Sequence, residues 1–133
     1  MGGGEGKLIA FEGLDGSGKT TQACLLVEAL RKRGVKACYT CEPTYWRVGD
    51  LIRLHVSRFK RRLPVYEALL FAADRYEHVV REVKPRLRRG YVVVSDRYVY
   101  SSLAYQGASG LSLQWIRSLN FFAPKPDLTV LID

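Results

Sequence analysis

The sequence has few cysteines and no long apolar run. Its 133 residues include three cysteines, an odd number without a secretory pattern, which argues against a disulfide scaffold. No stretch reaches the roughly 18 apolar residues of a membrane span, and the glycine-rich residues 1–6 lack the apolar region of a signal peptide. We therefore expect a protein of a reducing, cytoplasmic compartment with no membrane partner.

Acidic residues are also scarce relative to basic ones. There are 13 Asp and Glu against 21 Lys and Arg, a formal net charge of +8. Such an excess suits nucleic acid, an acidic membrane or small phosphorylated substrates, and does not choose among them. The basic clusters at 58–62 and 86–89 are most simply solvated surfaces. The length suits one core, so we predict a single domain over residues 1–133.

Short apolar runs alternate with helical patterns along the chain. The patterns predict strands at 7–12, 35–41, 91–95 and 128–132, and helices at 19–33, 48–56 and 64–88. Consecutive βαβ units give parallel strands with right-handed crossovers. We therefore predict an α/β fold, an open parallel sheet with helices on both faces, which binds ligands at the carboxyl ends of its strands. A C-x-x-C at Cys38 and Cys41 falls in a predicted strand, where its odd offset separates the thiols onto opposite faces.

The predicted helix at 64–88 has two candidate faces. Its core face is predicted to comprise Leu69, Ala72, Tyr76, Val79 and Val83. Phe71, Arg75 and His78 recur at i, i+4 and i+7 on a neighbouring face, away from that stripe. This second face is either a half-buried Phe with a surface Arg or a platform for a flat ligand with polar edges. The helical pattern alone favours the first interpretation.

Residues 13–20 match G-x-x-x-x-G-K-[ST], directly after a predicted strand and at the start of a predicted helix. In this motif glycines let the backbone wrap around phosphate, Lys19 reaches the β- and γ-phosphates, and Thr20 holds Mg²⁺. The fold is therefore expected to be of the P-loop NTPase or kinase type, in three α/β/α layers. The predicted ATP site comprises Gly13, Leu14, Asp15, Gly16, Ser17, Gly18, Lys19, Thr20 and Thr21.

Asp96 and Arg97 directly follow the third predicted strand. P-loop proteins commonly place a Mg²⁺-binding acid at such a position, and Arg97 would then face the phosphates. The alternative is a structural pair that caps the next helix or bridges locally. Beside a P-loop the metal interpretation is favoured, with Thr20 and Asp96 as metal ligands.

Four blocks of the sequence resemble the thymidylate kinase family. They are FEGLDGSGKTTQ at 11–22, EALLFAADRYEH at 67–78, DRYVYSSLAYQG at 96–107 and PKPDLTVLID at 124–133, in the family's order. The resemblance implies a homodimeric enzyme with a five-stranded parallel sheet. It also implies ATP and Mg²⁺ as cosubstrates and dTMP as the acceptor.

The resemblance also implies roles for individual residues. Phe71 is similar to the ring on which thymine stacks, Arg75 to the donor to a base carbonyl, and Ser102 to the hydroxyl at the base edge. This match reverses the preference stated above for the Phe71 and Arg75 face, because stacking and a fork of N–H donors suit a pyrimidine.

The phosphate and sugar of the acceptor are assigned in the same way. Arg97 resembles the arginine that grips the acceptor phosphate, Asp15 the P-loop carboxylate near the sugar hydroxyl, and Tyr105 the aromatic ring that disfavours a ribose 2′-OH. Arg53 resembles a second phosphate-binding arginine, and Glu42 belongs to the same acceptor site. The expected catalytic residues are Lys19, Arg97, Asp96 and Asp15.

The chain departs from the family pattern in two places. Many bacterial members have arginine where this chain has Cys41, which leaves open whether Arg47 or Arg53 compensates. Family members also continue beyond the position of Asp133 through a basic lid, a helix and a fifth strand. We therefore expect a chain truncated before the lid, which lacks the cation that the lid supplies. The acceptor range among dTMP, dUMP, UMP and CMP stays open.

Other functions remain as alternatives. A deoxynucleoside kinase would use a carboxylate, here Glu42, to activate a 5′-hydroxyl, but the Asp96-Arg97-Tyr98 block argues against it. Another monophosphate kinase would share the fold. A basic P-loop ATPase or nucleic-acid-binding module would require the basic clusters to form one stripe. We expect a dTMP kinase with no nucleic-acid partner.

Overall fold

A computed structural model describes residues 5–58 and 62–133, so the basic cluster at 58–62 lies largely outside the described residues. The strands in the described part are β1 Lys7–Gly13, β2 Ala37–Cys41, β3 Val92–Asp96 and β4 Leu128–Ile132. They form one sheet in the order β2-β3-β1-β4, and every neighbouring pair is parallel. The four predicted strands and their parallel arrangement are confirmed.

The helices are α1 Lys19–Lys32, α2 Arg47–Arg58, α3 Pro64–His78, α4 Lys84–Arg88, α5 Val99–Ala108 and α6 Leu113–Leu119. A π-helical turn, Val79–Val83, joins α3 to α4, so the long helix predicted at 64–88 is confirmed as a continuous helical run with one change of winding. The sequence analysis did not define α5 and α6.

Side chains pack on both faces of the sheet. Leu8, Cys38 and Val93 belong to one buried cluster, with Val79 and Val83 of the π-helical turn. A second cluster contains Phe11, Ala23, Val27, Ala37 and Val94. Successive strand residues point to opposite faces, so β1, β2 and β3 each contribute to both clusters. The predicted three layers, with helices on both faces, are confirmed.

The predicted core face of α3 was wrong at two positions. Leu69 and Tyr76 are 48% and 54% exposed. Arg75 and His78, expected away from the core, are instead 1% and 0% exposed. The buried side of α3 is polar because its side chains have partners inside the protein, and apolar periodicity does not detect such a face.

The sheet brings three chain segments to one edge. In the parallel register, Phe11 of β1 and Cys41 of β2 both lie beside Asp96 of β3. The segments that follow these strands therefore start from neighbouring points at the carboxyl end of the sheet. In open α/β sheets, this is the edge where ligands bind.

Candidate active site

The segment between β1 and α1 is the loop of the G-x-x-x-x-G-K-[ST] motif, which we call the phosphate loop. Gly18 precedes the first turn of α1 with a φ of 90°, and Gly13 has a φ of 152° with Ile132 O 2.5 Å from the position of a Cβ. Side chains at these points would be strained or would clash. The loop borders a cavity of about 360 Å³, lined by Leu14, Asp15, Gly16, Gly18, Lys19, Thr20 and Thr21.

Ser17 completes the loop but does not line this cavity. Its Oγ is buried and has no hydrogen-bond partner. The glycine-rich loop and the N-terminus of α1 behind it still suit an anionic ligand, because backbone N–H groups there lack partners within the helix. The residues present therefore fit the phosphates of a nucleotide.

Asp96 lies at the end of β3, against the loop. Its carboxylate accepts hydrogen bonds from Thr20 Oγ1 at 2.6 Å and from Tyr39 OH at 2.7 Å, and it forms an ion pair with Lys19. Burial raises the pKa of Asp96, but the hydrogen bonds from Lys19, Thr20 and Tyr39 outweigh burial and leave the pKa below 3.8. An ionised carboxylate next to a hydroxyl is the oxygen chemistry that Mg²⁺ prefers.

A second cavity, which we call the acceptor cavity, has a volume of about 460 Å³. It gathers six residues of the predicted acceptor site, which are Asp15, Arg53, Phe71, Arg97, Ser102 and Tyr105. Elements far apart in the sequence contribute them: the phosphate loop, α2, α3, the end of β3 and α5. Its mixture of an aromatic ring, hydroxyls and arginines suits an anionic ligand with a flat ring.

Arg75 lies behind the acceptor cavity rather than in its lining. Its Nε donates to Glu42 Oε1 at 2.9 Å, and Nη1 donates to Ser102 Oγ at 3.1 Å and to Asn120 Oδ1 at 2.7 Å. Nη2 donates to Tyr98 O at 3.0 Å. The link to Ser102 connects this buried guanidinium to the cavity surface.

Glu42 is also enclosed. Beside its ion pair with Arg75, its Oε2 lies 2.7 Å from His78 Nδ1, and His78 Nε2 lies 2.7 Å from Thr40 Oγ1. Burial raises the pKa of Glu42, yet the Arg75 charge and the His78 hydrogen bond leave it below 4.5. Glu42 is thus a buried partner of both Arg75 and His78, and it does not belong to the lining of the acceptor cavity.

Two further arginines differ in their placement. Arg53 of α2 lines the acceptor cavity and donates to Pro43 O at 2.5 Å and Thr44 O at 2.6 Å. Arg47, at the start of α2, is exposed and does not line that cavity. Of the two candidates to compensate for Cys41, Arg53 is the one at the site.

Gln106 is a cavity residue that the sequence analysis missed. It lines the acceptor cavity on α5, is 3% exposed, and its Oε1 is buried without a hydrogen-bond partner. It lies one helical turn after Ser102, so treating 99–108 as a helix would have put the two polar side chains on one face. An unpartnered buried amide oxygen at a cavity is available to a ligand's N–H.

The cysteines of the described residues are not paired with one another. Cys24, Cys38 and Cys41 are free thiols, and no group of three or more His, Cys, Asp or Glu within residues 5–58 and 62–133 is arranged to hold a metal. Over the same residues, none of the helices has the length and apolar character needed to cross a bilayer.

The phosphate loop, the adjoining carboxylate and the open parallel sheet define a P-loop nucleotide-binding fold of the kinase class. The family model described as "Thymidylate kinase" matches residues 11–133. The chain belongs to the thymidylate kinase family.

Individual relatives agree with this assignment. A probable thymidylate kinase of Pyrococcus abyssi is 51% identical over 133 residues, which cover 96% of this chain and 65% of that protein. A probable thymidylate kinase of Methanococcus vannielii is 50% identical over 127 residues, 96% of this chain and 60% of that protein. The crystal structure of thymidylate kinase from Ehrlichia chaffeensis superposes with a TM-score of 0.88 at 37% identity, over 97% of this chain and 73% of that one. The chain thus spans less than two thirds of the length of the Pyrococcus abyssi and Methanococcus vannielii relatives.

Proposed function

We propose that this protein is a thymidylate kinase that transfers the γ-phosphoryl group of ATP to dTMP, giving dTDP and ADP. The observation that carries the proposal is that the two cavities meet at Asp15, which lines both. Arg97 Nη2 donates to Asp15 Oδ1 at 2.5 Å at this junction. Adjoining sites for two phosphorylated ligands suit direct transfer between them. The names of the relatives support the same reaction.

The residues at the junction would act by alignment and charge neutralisation. The phosphate oxygen of a nucleoside monophosphate is ionised at neutral pH, so its attack needs no general base. Lys19 and Arg97 would offset the repulsion between donor and acceptor phosphates through charge-assisted hydrogen bonds. Thr20 and Asp96 would hold Mg²⁺, which supplies Lewis-acid neutralisation of the transferred phosphoryl group.

The acceptor cavity suits a pyrimidine. Phe71 provides a ring for stacking, and Ser102 and Gln106 provide polar atoms at one side of the cavity. Arg75 would contribute through its hydrogen bond to Ser102, or directly to a base carbonyl if a donor is released when the ligand binds. Tyr105 OH lies 3.5 Å from Arg97 Nη1, where a sugar would join base and phosphate.

The environment of Glu42 favours a monophosphate over a nucleoside as the acceptor. A deoxynucleoside kinase would need this carboxylate as a base for the 5′-hydroxyl. Here both carboxylate oxygens are engaged by Arg75 and His78, inside the protein. Glu42 would have to leave two charge-assisted partners to act as a base.

We also propose that the protein forms a homodimer through the exposed face of α3. Leu69 and Tyr76 of α3 and Val80 of the following turn recur at i, i+7 and i+11 and are each about half exposed. A second copy that presents the same face would bury this apolar stripe symmetrically.

The reaction is tested with the purified protein, ATP and Mg²⁺, with dTMP, dUMP, UMP, CMP or thymidine as the acceptor. We expect dTDP from dTMP and little product from the other acceptors. Lys19→Ala serves as the inactive control, because it removes the cation beside the phosphates. Phosphorylation of thymidine without phosphorylation of dTMP would show that the protein is a nucleoside kinase.

A further inference from the structure

Arg97 has an unusual backbone conformation. Its φ is 77°, and among the described residues it is the one non-glycine residue with a positive φ. A bulky side chain in this region costs free energy and persists only where the surroundings impose it. Neighbouring groups must therefore hold Arg97 in this conformation.

The sheet holds the arginine's own peptide groups. Arg97 N donates to Phe11 O at 2.8 Å, and Ser95 Oγ donates to Arg97 O at 2.7 Å. Phe11 and Ser95 are buried strand residues, 4% and 0% exposed. These two bonds fix where the backbone turns, but they do not act on the guanidinium.

Glu12, the residue before the phosphate loop, acts on both sides of that turn. Its Oε2 accepts a hydrogen bond from Tyr98 N at 3.1 Å, directly after Arg97. Its Oε1 accepts from Ser101 Oγ at 2.5 Å, and the same Ser101 oxygen accepts from Arg97 Nη1 at 3.1 Å. One buried carboxylate therefore holds the backbone next to Arg97 and, through Ser101, the guanidinium.

The chain of bonds leads to the junction of the two cavities. Glu12 is 5% exposed, Ser101 lines the acceptor cavity, and the other end of the Arg97 guanidinium meets Asp15 of the phosphate loop. Ser101 and Asp15 thus engage different nitrogens of one guanidinium. This arrangement sets the direction in which Arg97 presents its donors to an anion in the cavity.

We propose that Glu12 and Ser101 are positioning residues that aim Arg97 at the acceptor phosphate. The inference rests on the proposed function, because it requires Arg97 to bind that phosphate. Glu12 also accepts an N–H at the start of α5, so its simplest other role is to stabilise that helix. The two roles predict different effects on binding. Only the positioning of Arg97 would affect a ligand that carries a phosphate more than one that lacks it.

The experiment compares binding of dTMP and thymidine, which differ by the phosphate, using calorimetry on the intact protein. We expect Ser101→Ala to reduce the ratio of dTMP affinity to thymidine affinity by about 3- to 10-fold, the size of one hydrogen bond. Glu12→Gln keeps the side-chain shape and should reduce the same ratio. Ser109→Ala, an exposed serine that follows α5, is the matched control and should leave the ratio unchanged.

The outcomes separate the positioning role of Glu12 and Ser101 from the proposed function on which it rests. An unchanged ratio in Ser101→Ala, or equal weakening of both ligands, would overturn the positioning role. Arg97→Ala is the reference, since it should remove most of the preference for dTMP. If the parent protein has no such preference, or Arg97→Ala retains it, the proposed function or the Arg97 assignment fails instead. Thermal unfolding shows whether Glu12→Gln is folded. If that variant is not folded, Ser101→Ala still tests the positioning role, because it keeps the Glu12 bond to Tyr98.

Discussion

The Glu42 carboxylate and the Arg75 guanidinium lie 2.8 Å apart in the protein interior, with 3% and 1% of their side chains exposed. This pair joins the segment after β2 to the last turn of α3. The ring of His78 contacts the same carboxylate at 2.7 Å, and Asn120 accepts a hydrogen bond from the same guanidinium. The wall behind the acceptor cavity is therefore held by buried charge rather than by apolar packing.

Glu42→Gln should destabilise the protein strongly. Removal of one partner leaves a buried positive charge uncompensated, which typically costs about 3 to 5 kcal/mol in the free energy of unfolding. Urea denaturation at pH 7 measures this loss. Glu28→Gln is the matched control, because Glu28 pairs with Lys32 on the surface and its loss should cost less than about 0.5 kcal/mol. Similar small losses in both variants would contradict the prediction.

The contribution of Glu42 should depend on pH in a defined direction. Burial alone would raise its pKa, but Arg75 and His78 leave the pKa below the ordinary 4.5. A group whose pKa is depressed by folding contributes stability above its unfolded pKa and loses it as the pH falls through the folded pKa. The difference in unfolding free energy between the parent and Glu42→Gln should therefore shrink below pH 4.5. Denaturation at a series of pH values measures it, and a difference that grows on acidification would refute this sign.

Phe71→Ala should weaken binding of dTMP while sparing ATP. Phe71 lines the acceptor cavity but not the loop cavity, and stacking of a base on an aromatic ring is worth about 1 to 3 kcal/mol. Calorimetric titration with each nucleotide measures both affinities. Phe121→Ala removes an 84% exposed ring and should change neither. Equal loss of both nucleotides would mean that α3 had been disrupted.

Leu69→Glu should convert the proposed homodimer to monomers. Leu69 is 48% exposed on the apolar stripe of α3, and a charge there would be buried without a partner in a symmetric interface. Sedimentation velocity over a range of concentrations measures the association. Leu25→Glu, at a 52% exposed position on α1, is the control and should leave the association intact. A parent protein that stays monomeric would disprove the dimer.

Much of the framework followed from local sequence. The loop of residues 13–20 and the four strands were predicted within about two residues, since glycine conformation and short β-branched runs act over a few positions. The gathering of Asp15, Phe71, Arg97, Ser102 and Tyr105 around one cavity agrees with the site that the family resemblance implied. Their roles toward a ligand stay predictions.

Tertiary structure alone decided which polar side chains are inside. Arg75 can be buried because it bonds to Glu42 and Asn120 inside the protein. These partners lie 33 and 45 positions away in the sequence, and helical periodicity carries no information about such distant pairs. For the same reason, apolar Leu69 and Tyr76 were taken for core although they face outward. The sequence by itself determined the phosphate loop and the parallel sheet, whose causes are local. Only the packed fold determined how Glu12, Ser101 and Arg97 meet, because that contact requires two neighbouring strands to end side by side.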